Sequence, residues 1–299
     1  MNGILIIDKP QDFTSFDVVA VMRRLCSQKK IGHTGTLDPM ATGVLPLLLG
    51  SAARAQAILP DSDKEYTASF QLGVTTDTLD STGRVLSRTE DFTVTREELC
   101  QALTMFRGDI LQTPPMYSAV SKDGKRLYEL ARKGIEVERE KRLVTVSRLD
   151  VLSYNENTAC GQLHIACSKG TYVRSLIDDV GRSLKCGGIM TALRRTKACG
   201  FSLSDALTLE VMKELSETER IEEQLRPVES LFLSYRGITV TKAQSIRFQN
   251  GGALDLCRTA LRDNYSDKEI VRVKAPDGRF LGLGMADTEK QSLVIYKLF

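Results

Sequence analysis

The densest chemical signal in this chain is the stretch Gly32-His33-Thr34-Gly35-Thr36-Leu37-Asp38-Pro39-Met40-Ala41-Thr42-Gly43. Its three glycines leave room for close backbone approach. Pro39 biases Asp38 toward extended backbone, and the apolar run Val44 to Leu49 follows at once. The expected result is a carboxylate held stiffly at the edge of a core element. The loop has no Lys-Ser or Lys-Thr pair after its last glycine, so it is not a P-loop. It also lacks G-x-G-x-x-G, so it is not a dinucleotide fingerprint. Taken alone, Asp before Pro in such a loop is ordinary turn chemistry.

The other reactive side chains exclude more than they suggest. Seven cysteines, Cys26, Cys100, Cys160, Cys167, Cys186, Cys199 and Cys257, form no C-x-x-C pair. That leaves neither zinc-ligand spacing nor a disulfide framework, and reduced, mostly packed thiols are expected. Only two histidines, His33 and His164, are present, which argues against a His-rich metal site.

The net charge of +3 is only mildly basic. Its distribution is more telling. Residues 183–197 carry Lys185, Arg194, Arg195 and Lys197 with no acid, and residues 121–148 hold Lys122, Lys125, Arg126, Arg132, Lys133, Arg139, Lys141, Arg142 and Arg148. Between 205 and 229 the sign reverses, with Asp205, Glu210, Glu214, Glu217, Glu219, Glu222, Glu223 and Glu229. A polyanion would be steered to the basic zones, although each patch alone reads as a solvated face. No apolar run approaches the ~20 residues of a bilayer span. No basic region precedes Ile4 to Ile7, and Asp8-Lys9-Pro10 ends that run too early for a signal peptide, so a cytoplasmic protein without membrane contact is expected.

Several elements must position these groups. Ile4 to Ile7 reads as a buried strand. Thr14 to Asp17 has the form of a capping box, so a helix should start near Ser15, with Val18, Val21, Met22 and Leu25 on its apolar face. Val44 to Leu49 reads as a strand or a buried helical turn. Tyr66, Ala68, Phe70 and Leu72 alternate on one face of a strand. Asp80 to Gly83 is a turn, and 95–106 is helical. Pro114-Pro115 opens a charged excursion, about 114–145, that is helical only at Leu127 to Arg132. Val144 to Leu152 and Leu163 to Cys167 read as strands, and an amphipathic helix follows Gly170. Residues 205–225 read as helical. After Pro227, breaks at Asn250-Gly251-Gly252, Asp263-Asn264 and Asp277-Gly278 point to a small β-rich domain. At about 150 residues per domain, 299 residues suggest two. Strand runs without regular βαβ alternation favour α+β.

The Gly32 to Gly43 run resembles the signature of the bacterial TruB-type tRNA pseudouridine-55 synthases. Other motifs follow in that family's order: Asp8-Lys9-Pro10 with Thr14-Ser15, Lys64-Glu65-Tyr66, Gly73 to Asp80, Gln112 to Ala119, Gly124 to Tyr128, Gly170 to Leu176 and Leu193-Arg194-Arg195-Thr196. Together they span residues 3 to about 207. Asp12 stands where the family usually has Gly, Phe16 where His is common, and Ser121 where Lys is usual.

The resemblance implies a mixed, largely antiparallel sheet with flanking helices over residues 1–235. It further implies a PUA-like RNA-binding module at 236–299, a mobile basic flap at about 114–145, and no cofactor or metal. The substrate it implies is the T arm of tRNA, bound by a monomer with no obligate protein partner. Pseudouridine formation breaks the N1–C1′ bond, turns the uracil and joins C5 to C1′. An ionised carboxylate beside the ribose can stabilise or trap the developing oxocarbenium charge, or remove the 2′ proton. The family assigns this work to Asp38. Arg174 is implied as its partner, opposing the pKa rise that burial imposes. Tyr66 is an implied contact of the target base, by stacking or as acceptor of the C5 proton; Tyr172 is implied to contact the substrate in the same pocket, and Leu193 to line it. Lys9 supports either the loop or a phosphate. The uridine must be flipped from its stack, and the family places its loop histidine, His33, in the vacated space. On the residues alone two other classes stay open. One is a non-catalytic RNA-binding or tRNA-folding protein. The other is a base-releasing hydrolase, for whose second carboxylate Asp8 and Asp77 are nominal candidates.

Overall fold

The computed structural model describes residues 1–60, 63–122, 124–262 and 264–299. Asp263 of the expected Asp263-Asn264 break, and the side chain of Lys122, lie outside the described residues. The chain opens with β1 (Gly3–Lys9), α1 (Ser15–Leu25), β2 (Ile31–His33), β3 (Thr42–Leu49) and β4 (Lys64–Leu72). A short hairpin, β5 (Val74–Thr76) and β6 (Val85–Arg88), leads to α2 (Arg96–Thr104) and β7 (Gly108–Gln112). The charged excursion holds a small hairpin, β8 (Ser121–Lys122) and β9 (Lys125–Arg126), followed by α3 (Leu127–Ala131). Next come β10 (Arg142–Asn155), β11 (Cys160–Cys167), α4 (Val173–Ser183), β12 (Gly188–Ala198), β13 (Phe201–Ser202) and α5 (Leu209–Glu217).

Nine strands form one sheet in the order β1-β3-β12-β4-β11-β10-β7, with β13 on β12 and β2 on β3. All pairings are antiparallel except β3 with β12, where Arg194 lies opposite Thr42 and Arg195 opposite Gly43. That junction brings the end of the Asp38 loop against the Arg194-Arg195 pair. It also explains Gly43: a Cβ built there would sit 2.2 Å from the Arg195 carbonyl oxygen. β4 buries Tyr66, Ala68, Phe70 and Leu72, which is the face the alternation marks out. α1 starts with a complete capping box between Thr14 and Asp17 and buries Val18, Val19 and Met22. Asp12, at the family's usual glycine position, has φ +65, a conformation that Asp tolerates better than most residues.

A second, five-stranded sheet is built from β14 (Gly237–Thr239), β15 (Leu254–Asp255), β16 (Ile270–Lys274), β17 (Phe280–Asp287) and β18 (Ser292–Leu298), with α6 (Lys242–Gln249) packed on it. Phe232, Phe280 and Phe299 pack together, with ring centroids 5.5 to 6.3 Å apart, and fasten this sheet to the preceding segment.

Two expectations need correction. Residues 205–225 do not form one helix. α5 ends at Glu217, and Glu219 turns to φ +57, the left-handed conformation that terminates a helix. The chain then makes only a short 3-10 turn at Ile221–Gln224. Second, the 183–197 patch is largely β12, a central strand. Arg195 there is completely buried, and Arg194 pairs with Asp8 at 2.7 Å, so neither is a free basic group. The tail is β-rich as expected, with the helix α6 capped by a box of Thr241 and Gln244.

Candidate active site

The Asp38 loop is fixed from two sides. The Ser15 hydroxyl, at the first residue of α1, donates to the Leu37 carbonyl (3.2 Å) and accepts from the Leu37 amide (2.8 Å). Lys9 is fully buried, and its ammonium donates to the carbonyls of Pro10, Phe13 and Pro39. Burial pulls the Lys9 pKa down to about 8, against the upward influence of Asp38 and Asp12. Of the two roles expected for Lys9, holding the loop fits this geometry, whereas a phosphate could not reach a side chain so enclosed. The loop leaves 36% of the Asp38 side chain accessible.

Arg174 meets that carboxylate. It is the second residue of α4, a position where the helix dipole disfavours a cation. Two carboxylates offset that misfit. One Arg174 nitrogen, Nη2, lies 3.3 Å from Oδ1 and 3.1 Å from Oδ2 of Asp38, and also donates to the Tyr117 carbonyl at 2.8 Å. The other, Nη1, is 3.6 Å from Oδ2 of Asp80. Asp80 is buried and is itself fixed by the hydroxyls of Thr78 (2.7 Å) and Thr82 (2.6 Å) and the amide of Thr82 (3.0 Å). Desolvation raises the Asp38 pKa. Arg174 opposes the rise, Asp80 adds to it, and Lys9 opposes it weakly.

Tyr66 is buried in the cluster that holds Leu37, the residue before Asp38. Burial pushes its phenol up to about 12, with Arg195 opposing, so it is neutral near pH 7. Leu193 is buried in the cluster that also contains Leu37 and Tyr66. Tyr172 is the N-cap residue of α4; its amide and carbonyl are both held by the Gln112 side chain, at 2.8 and 3.0 Å. His33, in β2, is half-buried, and its Nδ1 is enclosed without a hydrogen-bond partner. Burial and then Arg195 lower its pKa, so the ring is uncharged. His164 lies elsewhere, 3.3 Å from Glu65.

Asp38 meets Arg174, Lys9 is tied to the same loop through Pro39, and Tyr66 and Leu193 share a buried cluster with Leu37. Tyr172 is fixed through its backbone to Gln112, and His33 is reached by the charge of Arg195. Asp8 and Asp77 are not part of this arrangement: Asp8 pairs with Arg194, and Asp77 accepts from the Arg84 amide. The second carboxylate is Asp80, which the sequence marks only through its Thr78-x-Asp80-x-Thr82 spacing and the flanking hydroxyl donors this offers. Arg195, in sequence a surface charge, is a buried one. Ser15 and Gln112 stand in motifs, but nothing local signals that they tie distant segments together.

Residues 23–173 match the N-terminal domain model of the TruB family pseudouridylate synthases, and residues 174–233 match the tRNA pseudouridylate synthase B C-terminal domain. The chain belongs to the TruB family of pseudouridine synthases. It is 41% identical to tRNA pseudouridine synthase B of Clostridium tetani over 294 residues, which is 98% of this chain and 99% of that protein. With the enzyme of the same name from Stutzerimonas stutzeri it is 43% identical over 287 residues, 95% of this chain and 91% of that one. Among solved structures, a chain of a Cbf5-Nop10-Gar1 complex superposes with a TM-score of 0.75 at 24% identity, covering 99% of this TruB-family chain and 84% of its own. That likeness concerns the fold, a mixed and mostly antiparallel sheet with a β-rich C-terminal unit. Among the described residues no helix is long and apolar enough to cross a membrane.

Proposed function

We propose that this TruB-family chain converts the T-loop uridine of tRNA, position 55, to pseudouridine, with Asp38 as the catalytic carboxylate and no cofactor. The observation that carries the reading is the Asp38 carboxylate gripped by the buried Arg174 at 3.1 Å while its own side chain stays partly open. Tight packing strengthens the field of Arg174 on Asp38, and the open side admits the ribose.

In this reading the flipped nucleotide enters with C1′ over Asp38. The N1–C1′ bond breaks with its electron pair going to the uracil, and positive charge develops on the ribose opposite the carboxylate. Asp38 adds at C1′ or takes the 2′ proton; both routes start from the same geometry. The uracil turns and C5 bonds to C1′: on the first route it displaces the Asp38 carboxylate from C1′, and on the second it adds to the glycal while protonated Asp38 returns the proton to C2′. The C5 proton then passes to solvent and N1 takes one up. Tyr66 stacks on the base as a neutral phenol. A tyrosinate acceptor for the C5 proton is disfavoured by a pKa of about 12. Tyr172 and Leu193 form the walls, Lys9 fixes the loop, and uncharged His33 occupies the stack the uridine leaves. The chain divides at 235/236 into a catalytic domain and a PUA-like RNA-binding domain. The basic excursion at 114–145 closes on the T arm, and the enzyme acts as a cytoplasmic monomer.

Mapping pseudouridine in T-arm RNA tests this directly. Asp38→Asn is expected to abolish the product while keeping tRNA binding within a few fold. An active Asp38→Asn enzyme, or a product other than pseudouridine at that uridine, overturns it.

A further inference from the structure

Arg195 is the largest side chain with essentially no solvent exposure among the described residues. Burying a guanidinium is costly unless its donors are used. Nε donates to the Val44 carbonyl at 2.7 Å and Nη2 to the Gly35 carbonyl at 3.2 Å. Gly35 precedes Asp38 in its loop and Val44 follows it, so one planar fork ties both ends of the segment that presents the carboxylate. Arg195 also stands directly opposite Tyr66 in the β12–β4 register, and its charge acts on the phenol. The third nitrogen, Nη1, is enclosed without a well-formed hydrogen bond, while the Arg195 and Tyr66 side chains interact with one another. A buried donor so poorly satisfied lowers stability. Such a flaw is typical of a residue kept for its work at a site.

We propose that Arg195 is a positioning residue for the reaction, coupling the Asp38 loop to Tyr66 so that carboxylate and phenol keep a fixed separation when the nucleotide enters. This rests on the roles given above to Asp38 and Tyr66. A lysine at 195 keeps the charge but cannot span both carbonyls. A methionine keeps much of the volume and removes the charge.

The experiment compares Arg195→Lys and Arg195→Met with the wild type for thermal midpoint, for kcat and KM on tRNA, and for the His33 imidazole pKa by NMR. With only two histidines in the chain, that signal is readily assigned. A displaced loop is expected to lower kcat by about 100-fold in a folded variant, the scale of a 1 Å misplacement, with KM within about twofold. In a Tyr66→Phe background the further loss from Arg195→Lys should be much smaller, because the two residues act as a unit. His33 should titrate higher in Arg195→Met and stay depressed in Arg195→Lys. Wild-type kcat in either folded variant, a change confined to KM, full additivity with Tyr66→Phe, or failure of both variants to fold each overturns the inference. Asp38→Asn run in parallel separates the two readings. If it is active, the reading of Asp38 fails; if it is inactive while Arg195→Lys retains full kcat, only the role of Arg195 falls.

Discussion

The Arg174 guanidinium lies 3.1 Å from Asp38 and 3.6 Å from Asp80, so one buried cation is shared by two carboxylates of different standing. Asp80 is enclosed, with its Oδ1 taken by the Thr78 and Thr82 donors and its Oδ2 toward Arg174, whereas Asp38 keeps an open side. Asp80 therefore anchors Arg174, and Asp38 keeps the open side that its proposed role requires.

This sharing fixes the direction of the pH dependence. In the reaction proposed above Asp38 works as an anion, and burial has raised its pKa above the ordinary value. Activity should therefore fall on acidification at a pH above the ordinary aspartate range of about 4. Arg174→Met removes the main opposing charge, so the acid limb of kcat should move to higher pH, with kcat at its plateau down by roughly 100-fold or more. Asp80→Asn removes a negative neighbour, so the limb should move to lower pH even as looser aim of Arg174 costs about 10-fold in kcat. Rate profiles of the three proteins between pH 4 and 9 check this. Limbs moving in the same direction in both variants would contradict the shared-cation geometry.

Lys9 couples the loop to stability. Replacing it by Met orphans the carbonyls of Pro10, Phe13 and Pro39, at a cost of about 1–3 kcal/mol at pH 7. The native pKa is about 8 against 10.5 for the free side chain. Between those values the unfolded chain holds a proton that the native protein has released. Native stability should thus rise across that window relative to Lys9→Met, by no more than about 3 kcal/mol. Urea denaturation of both proteins at pH 7.5 and 10 measures the difference. A gap that narrows with rising pH would show that Lys9 is not depressed.

Much of this is legible in the sequence because local pattern and global role agree. The strand bearing Tyr66 alternates cleanly, α1 announces itself by its capping box, and the Asp38 loop is short, Gly-rich and stiffened by Pro39. β12 is not legible. A bulge between Met190 and Ala192 breaks its alternation, and Arg194, Arg195 and Lys197 mimic a solvated face. Whether an arginine is buried depends on carbonyls offered by another segment, here Gly35 and Val44, and no window around Arg195 contains them. The Thr78 and Thr82 donors of Asp80 are local, but its approach to Arg174 in α4, like the hold of Gln112 on the α4 N-cap, lies outside any sequence window.

The excursion between β7 and β10 supplies a test of where the RNA lies. Lys125 and Lys133 are exposed there, and Arg132 lies over the Tyr128 ring. Cations so placed on a weakly packed segment contribute little to folding, because exposed charges are well solvated. Against a phosphate backbone each would displace about one counterion, and that displacement appears as salt dependence. Lys125→Glu with Lys133→Glu should leave the thermal midpoint nearly unchanged and weaken tRNA binding at low salt. The slope of log affinity against log salt should fall in magnitude by about 1 for each phosphate no longer neutralised. At high salt the variant and the wild type should converge. Binding measured at four salt concentrations decides it: parallel lines would mean that these lysines touch no phosphate and that the tRNA approaches from another face.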